Sequence, residues 1–272
     1  MGKNMKRLSI LMYHGLYATE AQRLAIDPVD RPYAISTEAF ARQLDLLAQA
    51  DIPVVPPRVL EQTVPTPGGV LLTFDDGHAS NAELALPLLR QRGLSALFFV
   101  TTDFIGQRPG FCTWDQVRTL AREGMTIGGH GQTHRFLSDL PEAELRRELQ
   151  LSHARIAQEL QAPVRQMSFP GGRYDARCLQ IAHEVGYSVL HGSEIGTLPA
   201  LQAASPHRPL PRLAIRANTP DAVFLDFARA ASARMLRAQA LSQAKTWTKR
   251  LIGNQRYHRL YARLKGAPSA SP

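Results

Sequence analysis

The sequence is poor in cysteine, in long apolar runs and in phosphate-binding glycine motifs. Only Cys112 and Cys178 occur among its 272 residues, and they form no metal-binding or redox spacing. Two lone cysteines fit a reducing compartment. No run approaches the roughly 20 apolar residues that a membrane-spanning helix needs. The N-terminus, with Lys3, Lys6 and Arg7, imitates the basic start of a signal peptide. The apolar segment behind it is too short for one and runs directly into Tyr13-His14-Gly15, so it reads as a first strand. A soluble, cytoplasmic protein is the expectation. No glycine-rich loop precedes a helix at the spacing that cradles a dinucleotide, which favours a barrel over an open doubly wound sheet.

What is present is a chain with 44% hydrophobic residues and a net charge of +9, from 32 Lys or Arg against 23 acids. The apolar content supports a sizeable core, and strand–helix barrels reach about 250 residues as one unit. The cationic excess suggests an anionic partner and says nothing about fold. Apolar runs predict strands at 7–13, 52–55, 70–74, 96–100, 125–127, 164–169, 187–190 and 212–215. Helical spacing predicts helices at 37–49 behind a Ser36 cap, at 81–92, at 114–123 behind a Thr113 cap, and at 176–185. The longest helix is expected to be capped by Ser138 or Asp139, with Pro141 in its first turn and Gln161 near its end. Strands alternating with helices imply a parallel sheet with covering helices. Tyr13-His14-Gly15, Asp75-Asp76-Gly77, His130-Gly131, Pro170-Gly171-Gly172 and His191-Gly192 each follow a predicted strand. In a parallel barrel those strand ends share the face where active sites form.

The most informative stretch is Leu71-Leu72-Thr73-Phe74-Asp75-Asp76-Gly77-His78. An apolar strand ends there in two adjacent carboxylates, which repel each other unless positive charge lies near or one holds a proton. A divalent metal is the usual remedy. His130 and His134 stand four residues apart, and on one turn of helix, or a turn leading into one, such residues point the same way. Two imidazoles and one carboxylate from another strand end make the three-ligand set with an open position that a catalytic zinc requires. Nine histidines occur in the chain, so the pair means little without the double aspartate.

Thr73-Phe74-Asp75-Asp76-Gly77, then His-x-x-x-His, then Pro170-Gly171-Gly172-Arg173-Tyr174-Asp175 resemble the polysaccharide deacetylases, the family-four carbohydrate esterases with a NodB-homology domain. The resemblance spans roughly 10–216 and includes Met12-Tyr13-His14-Gly15, Phe40, Gln43 and Leu44, and Leu210-Pro211-Arg212. It implies an α/β fold, an irregular (β/α) barrel of about seven parallel strands. It implies hydrolysis of an N-acetyl, less often O-acetyl, group on a glycan or lipid-linked sugar. Asp75 is then the general base, and Asp76, His130 and His134 hold a divalent ion, Zn2+ foremost. Gly171, Gly172 and Tyr174 are expected to line the substrate.

Two motifs depart from the family pattern. Ser168 stands where the family carries an arginine that orients the base, and Arg212 is the candidate replacement, whereas Arg173 is expected to face solvent or substrate. The late Leu-x-His that supplies the general acid has no match. His14 is preferred for that role over His191, and His78 is expected near the pocket. These departures leave open a related hydrolase of carbon–nitrogen bonds in a small cyclic amide or ureide, or a non-catalytic carbohydrate-binding homologue.

Between Phe224 and Lys265 there are ten Lys or Arg and one acid, Asp226, with Trp247, Leu251, Tyr257, Leu260, Tyr261 and Leu264 among them. Such a basic amphipathic stretch packs its apolar face on the barrel or lies on an anionic membrane; nucleic acid is the partner least expected. The expected division is a deacetylase-like barrel at 1–220, a basic helical extension at 221–266 and a disordered tail at 267–272. A peripheral place at the inner membrane surface fits that extension.

Overall fold

The computed structural model describes residues 7–28, 30–62, 66–200 and 208–230. Its strands are β1 (Arg7–Tyr13), β2 (Leu16–Tyr17), β3 (Ile35–Ser36), β4 (Gly69–Phe74), β5 (Leu97–Val100), β6 (Thr126–Gly129), β7 (Gln166–Ser168), β8 (Val189–His191), β9 (Leu198–Pro199) and β10 (Leu213–Ala214). The main sheet runs β10-β1-β4-β5-β6-β7-β8, and each pairing on that path is parallel. A parallel bridge from His191 to Leu210 joins β8 to the residues just before β10. The sheet therefore curls into an irregular barrel whose two ends meet at a narrow seam. β9 lies antiparallel on β1, and β2 pairs with β3 in a separate small sheet. The run at 52–55 contributes one bridge, Val54 to Val70, because Pro53, Pro56 and Pro57 deny it a ladder.

Side chains alternate across a strand, so a sheet buried on both faces supplies two cores. Leu8, Ile10, Leu71, Leu97, Phe99, Val189 and Leu210 form the inner one. Leu11, Tyr13, Val70, Leu72, Phe74, Phe98 and Val100 face the helices and merge with Phe40, Leu44, Leu145 and Ile181. The helices are α1 (Glu20–Ala25), α2 (Thr37–Gln49), α3 (Leu86–Gln91), α4 (Trp114–Arg122), α5 (Glu142–Leu160), α6 (Ala176–Val185) and α7 (Asp221–Arg229). Ser36 caps α2 and Thr113 caps α4 through side-chain bonds to N3 amides. The long helix α5 begins later than its sequence suggests. Ser138 and Asp139 sit in a short 3-10 turn, and the N-cap is Pro141, whose ψ of 151° is extended. A residue before proline is driven away from helical backbone, so the helix starts after it. Residues 81–92 open with a π turn, Asn81–Ala85, before α3.

The expected boundary at 220 moves. Helix α7 belongs to the barrel: Phe224 and Ala228 are fully buried in the outer core, and Ser9 on β1 donates to the Phe227 carbonyl at 2.6 Å. The remainder of the expected extension, 231–266, and the tail 267–272 lie outside the described residues. Truncating Phe224 to Ala is expected to cost about 3–5 kcal/mol in denaturant unfolding. A loss below about 1 kcal/mol would detach α7 from the core.

Candidate active site

Strand β4 lies between β1 and β5, and both acids follow its last residue. Asp75 still obeys the ladder, its amide donating to the Tyr13 carbonyl at 2.9 Å. Asp76 leaves it with φ of 77°, and Gly77 follows with φ of 87°. A Cβ at Gly77 would meet Ile105 Cδ1 at 2.8 Å, so this turn needs glycine. The break in backbone sends the two neighbouring carboxylates to different partners.

Asp75 meets Arg212. Nη1 donates to Oδ1 at 2.7 Å and Nη2 to Oδ2 at 2.8 Å, a two-pronged ion pair. Nε of Arg212 donates to the Gly192 carbonyl at 2.7 Å and Nη1 also reaches Thr73 Oγ1 at 3.3 Å. Arg212 is 1% exposed and Asp75 3%. Burial pushes the Asp75 carboxyl up, but the Arg212 charge, then His130, then the Arg212 hydrogen bonds and His14 carry it below its ordinary value. Asp75 is therefore an ionised acceptor of fixed orientation.

Asp76 meets imidazoles instead. Its Oδ1 lies 3.3 Å from His130 Nε2 and 3.2 Å from His134 Nε2, and Oδ2 lies 3.6 Å from His78 Nε2. Among the described residues Asp76, His130 and His134 form the one cluster whose ligand atoms all fall within 4.8 Å of one another. Asp76 Oδ1 is buried and has no hydrogen-bond partner. Against burial, the three imidazoles hold the Asp76 carboxyl well below its usual range. His134 is raised in turn: burial lowers it, and Asp76, Asp75 and Asp30 more than reverse that. An orphaned buried carboxylate oxygen between two Nε2 atoms, in a field that favours positive charge, fits a divalent ion with nitrogen and oxygen ligands.

The histidines do not reach this place on a helix, as their four-residue spacing suggested. Residues 130–136 are a loop, turned by Gly131 at φ 77° and His134 at φ 66°. Five described non-glycine residues have positive φ: Asp51, Asp76, His134, Gln161 and Ala230. Gln161 and Ala230 close α5 and α7, and Asp51 follows the end of α2, the ordinary place for left-handed backbone. Asp76 and His134 end no helix, and each holds strain of about 1–3 kcal/mol. His130 is aimed from β7: its Nδ1 lies 3.0 Å from the Ser168 carbonyl and 2.6 Å from Ser168 Oγ. A hydrogen on Nδ1 leaves Nε2 free to face Asp76.

The other expected residues are spread around this centre. The His14 ring packs on Tyr33 at 4.9 Å, and its buried Nδ1 has no partner. Burial lowers its pKa against the pull of Asp76 and Asp75. His78 stacks on Phe111 at 4.7 Å and borders a cavity of about 430 Å3 that also touches Gly15, Asp30 and Arg108. His191 is sealed inside the barrel, bonded through Nε2 to Gln166 Oε1 at 3.0 Å, with its pKa driven far down by burial. Gly171 and Gly172 have positive φ, and their Cβ atoms would strike Phe136 and Ser193. Tyr174 donates its hydroxyl to Glu194 at 2.6 Å, so that bond, not the acid pair, takes its polar end. Arg173 lies over the Phe136 ring at 4.2 Å and 3.4 Å from Asp139. Sequence reasoning passed over Ser168 as a support for His130; its place at an inward-facing strand end, level with His130, was the available signal.

Arg212→Met leaves Asp75 buried without its cation and is expected to destabilise the protein by about 3–5 kcal/mol at neutral pH. Adding Asp75→Asn should recover most of that loss. Because the folded Asp75 pKa is depressed, the pair's contribution is present above the unfolded value near 3.8 and fades as pH falls through the folded one. The gap between wild type and Arg212→Met in denaturant melts should therefore narrow in acid.

Residues 63–190 match the family model described as polysaccharide deacetylase. The Bacillus subtilis (strain 168) protein YxkH is 25% identical over 188 residues, 67% of this chain and 63% of that protein. The chitin deacetylase of Colletotrichum lindemuthianum is 31% identical over 113 residues, 41% of this chain and 44% of that one. The chain thus spans less than two thirds of the length of these curated relatives. The Streptococcus pyogenes deacetylase PplD, solved in complex with acetate, has a TM-score of 0.69 at 22% identity, covering 82% of this chain and 98% of that one. At that identity the likeness is one of fold. The matched segment, just under half of the chain, carries Asp75, Asp76, His130 and His134 together, and over it the chain is similar to the polysaccharide deacetylases.

Proposed function

We propose that this protein is a divalent-metal-dependent hydrolase that removes N-acetyl groups from a glycan or lipid-linked sugar. The carrying observation is the separation of two adjacent acids: Asp75 on Arg212, and Asp76 on His130 and His134. The family match and the chitin deacetylase among the relatives support the substrate class. Asp76, His130 and His134 are the residues that would hold the ion, and Zn2+ suits two imidazoles and a carboxylate. A carboxylate with a depressed pKa is a weak base toward ordinary water, and a bound ion would supply what it lacks, making water more acidic and polarising the acetamide carbonyl.

The chain's own residues do the rest. Arg212 aims Asp75 and keeps it ionised, so Asp75 accepts the proton of the attacking water. His14 is preferred as general acid; burial lowers its pKa, so its ring is neutral at neutral pH and must first take up a proton before it can donate to the leaving amine. Gly171 and Gly172 let backbone come close to a bound sugar.

Asp75→Asn is expected to lower acetate release from N-acetylglucosamine oligomers by about 100-fold or more while leaving bound metal unchanged. His134→Ala is expected to lose both. Chelation should abolish acetate release and Zn2+ restore it. Release that survives Asp75→Asn defeats the assignment of the base.

No helix among the described residues is long and apolar enough to cross a membrane. A cytoplasmic place at an anionic membrane surface is the part of this proposal carried by the basic sequence after residue 230. Sedimentation with anionic liposomes should fall when the chain ends at Ala238, and unchanged binding removes the idea.

A further inference from the structure

Glu148 is a buried carboxylate that the proposed chemistry does not use. It sits on α5, 2% exposed, beside Leu145 and Leu149, which are fully buried in the core. Its Oε2 accepts from the backbone amides of Gln132 at 2.9 Å and Thr133 at 3.0 Å. Its Oε1 accepts from the Thr133 hydroxyl, and Arg135 Nη2 lies 3.4 Å from the same oxygen. The carbonyls of this loop are used from the other side: Gly131 accepts from the Thr102 amide at 3.3 Å and Gln132 from the Asp103 amide at 2.9 Å. Glu148 is thus what the two inward-turned amides between His130 and His134 bond to.

Those amides point together because Gly131 is left-handed, and the same turn ends in His134 with φ of 66°. A non-glycine residue stays in that region only where its surroundings over-determine it. Without an acceptor on α5, the two amides would lose their partner, and the loop would relax toward ordinary backbone and carry His134 away from Asp76. We propose that Glu148 is the positioning residue that holds the 131–134 loop in its strained form and thereby sets the divalent-ion affinity of Asp76, His130 and His134. The inference rests on the metal reading above. It assigns the rigidity of the site to a side chain that touches neither ion nor substrate.

A carboxylate serves all four donors at once. A glutamine keeps one acceptor oxygen and turns an amino group toward Arg135. An alanine keeps nothing. The full-length protein can be stripped of metal and titrated with Zn2+ against a chromophoric chelator, alongside melting of the metal-free form and amide hydrogen exchange. Glu148→Ala should weaken Zn2+ binding by roughly tenfold or more, as loss of a partner behind metal ligands does, and speed exchange at Gln132 and Thr133. Glu148→Gln, which keeps an oxygen for the two amides but turns an amino group on Arg135, should weaken it by a smaller factor. Thr133→Val should weaken it less, and Glu144→Gln, which removes the exposed partner of Arg135, should leave it unchanged. If Glu148→Ala does not fold, Glu148→Gln decides. Wild-type affinity in Glu148→Gln, even with a lower melting temperature, makes Glu148 a plain helix–loop tie and overturns the inference alone. Absence of Zn2+ binding by the wild type overturns it together with the metal reading.

Discussion

The pairing of Arg212 with Asp75 is the contact on which the rest of the site depends. It spans the seam of the barrel, since Arg212 lies between Leu210, which bridges to β8, and β10, which pairs with β1. A buried ion pair of this kind contributes little net stability, because desolvating two charges offsets most of their attraction. Its value is positional. By taking both oxygens of Asp75, the guanidinium fixes one acid and leaves the other to the imidazoles. Two adjacent carboxylates can then both stay ionised inside a protein, each with its own source of positive charge.

The same separation explains where strain is stored. Asp76 must leave the β4 ladder one residue after Asp75 has used it, and the price is left-handed backbone at Asp76 with glycine behind it. His134 repeats the device on the facing loop. The strained residues are thus the two whose side chains must converge from different strand ends, while the unstrained His130 is placed directly by β6 and Ser168.

Much of this was legible in the sequence because the signals were local. The run from Val70 to Phe74 is apolar on both faces, as a central parallel strand must be, and it ends where the structure ends it. Ser36 and Thr113 announced their helices through the same side-chain caps that form. What could not be read was whatever depends on two distant segments meeting. The spacing of His130 and His134 suggested a helical turn, but Gly131 and an acceptor sixteen residues beyond Gln132 make it a loop. Glu148 looks like any acid on a charged helix until α5 is docked and its face is known. The cap of α5 was misplaced because two good capping residues precede a proline whose extended backbone overrides them. Helix α7 was assigned to a basic extension on average charge, although Phe224 and Ala228 give it a buried face.

Serine at 168 suits the same geometry. The guanidinium of Arg212 already fills the space beside Asp75, bonding Gly192 and Thr73 as well as the carboxylate. It lies 5.4 Å from the Phe99 ring, so an aromatic floor closes the space beneath it. An arginine at the fully buried Ser168 would add a buried cation on β7 and take the hydroxyl away from His130 Nδ1, a cost of several kcal/mol. A serine there instead presents a small hydroxyl and a free carbonyl to His130 Nδ1. Position 168 thereby supports a candidate ligand. Arg212 and Ser168 thus serve different groups of one site, the first taking both oxygens of Asp75 and the second bonding His130.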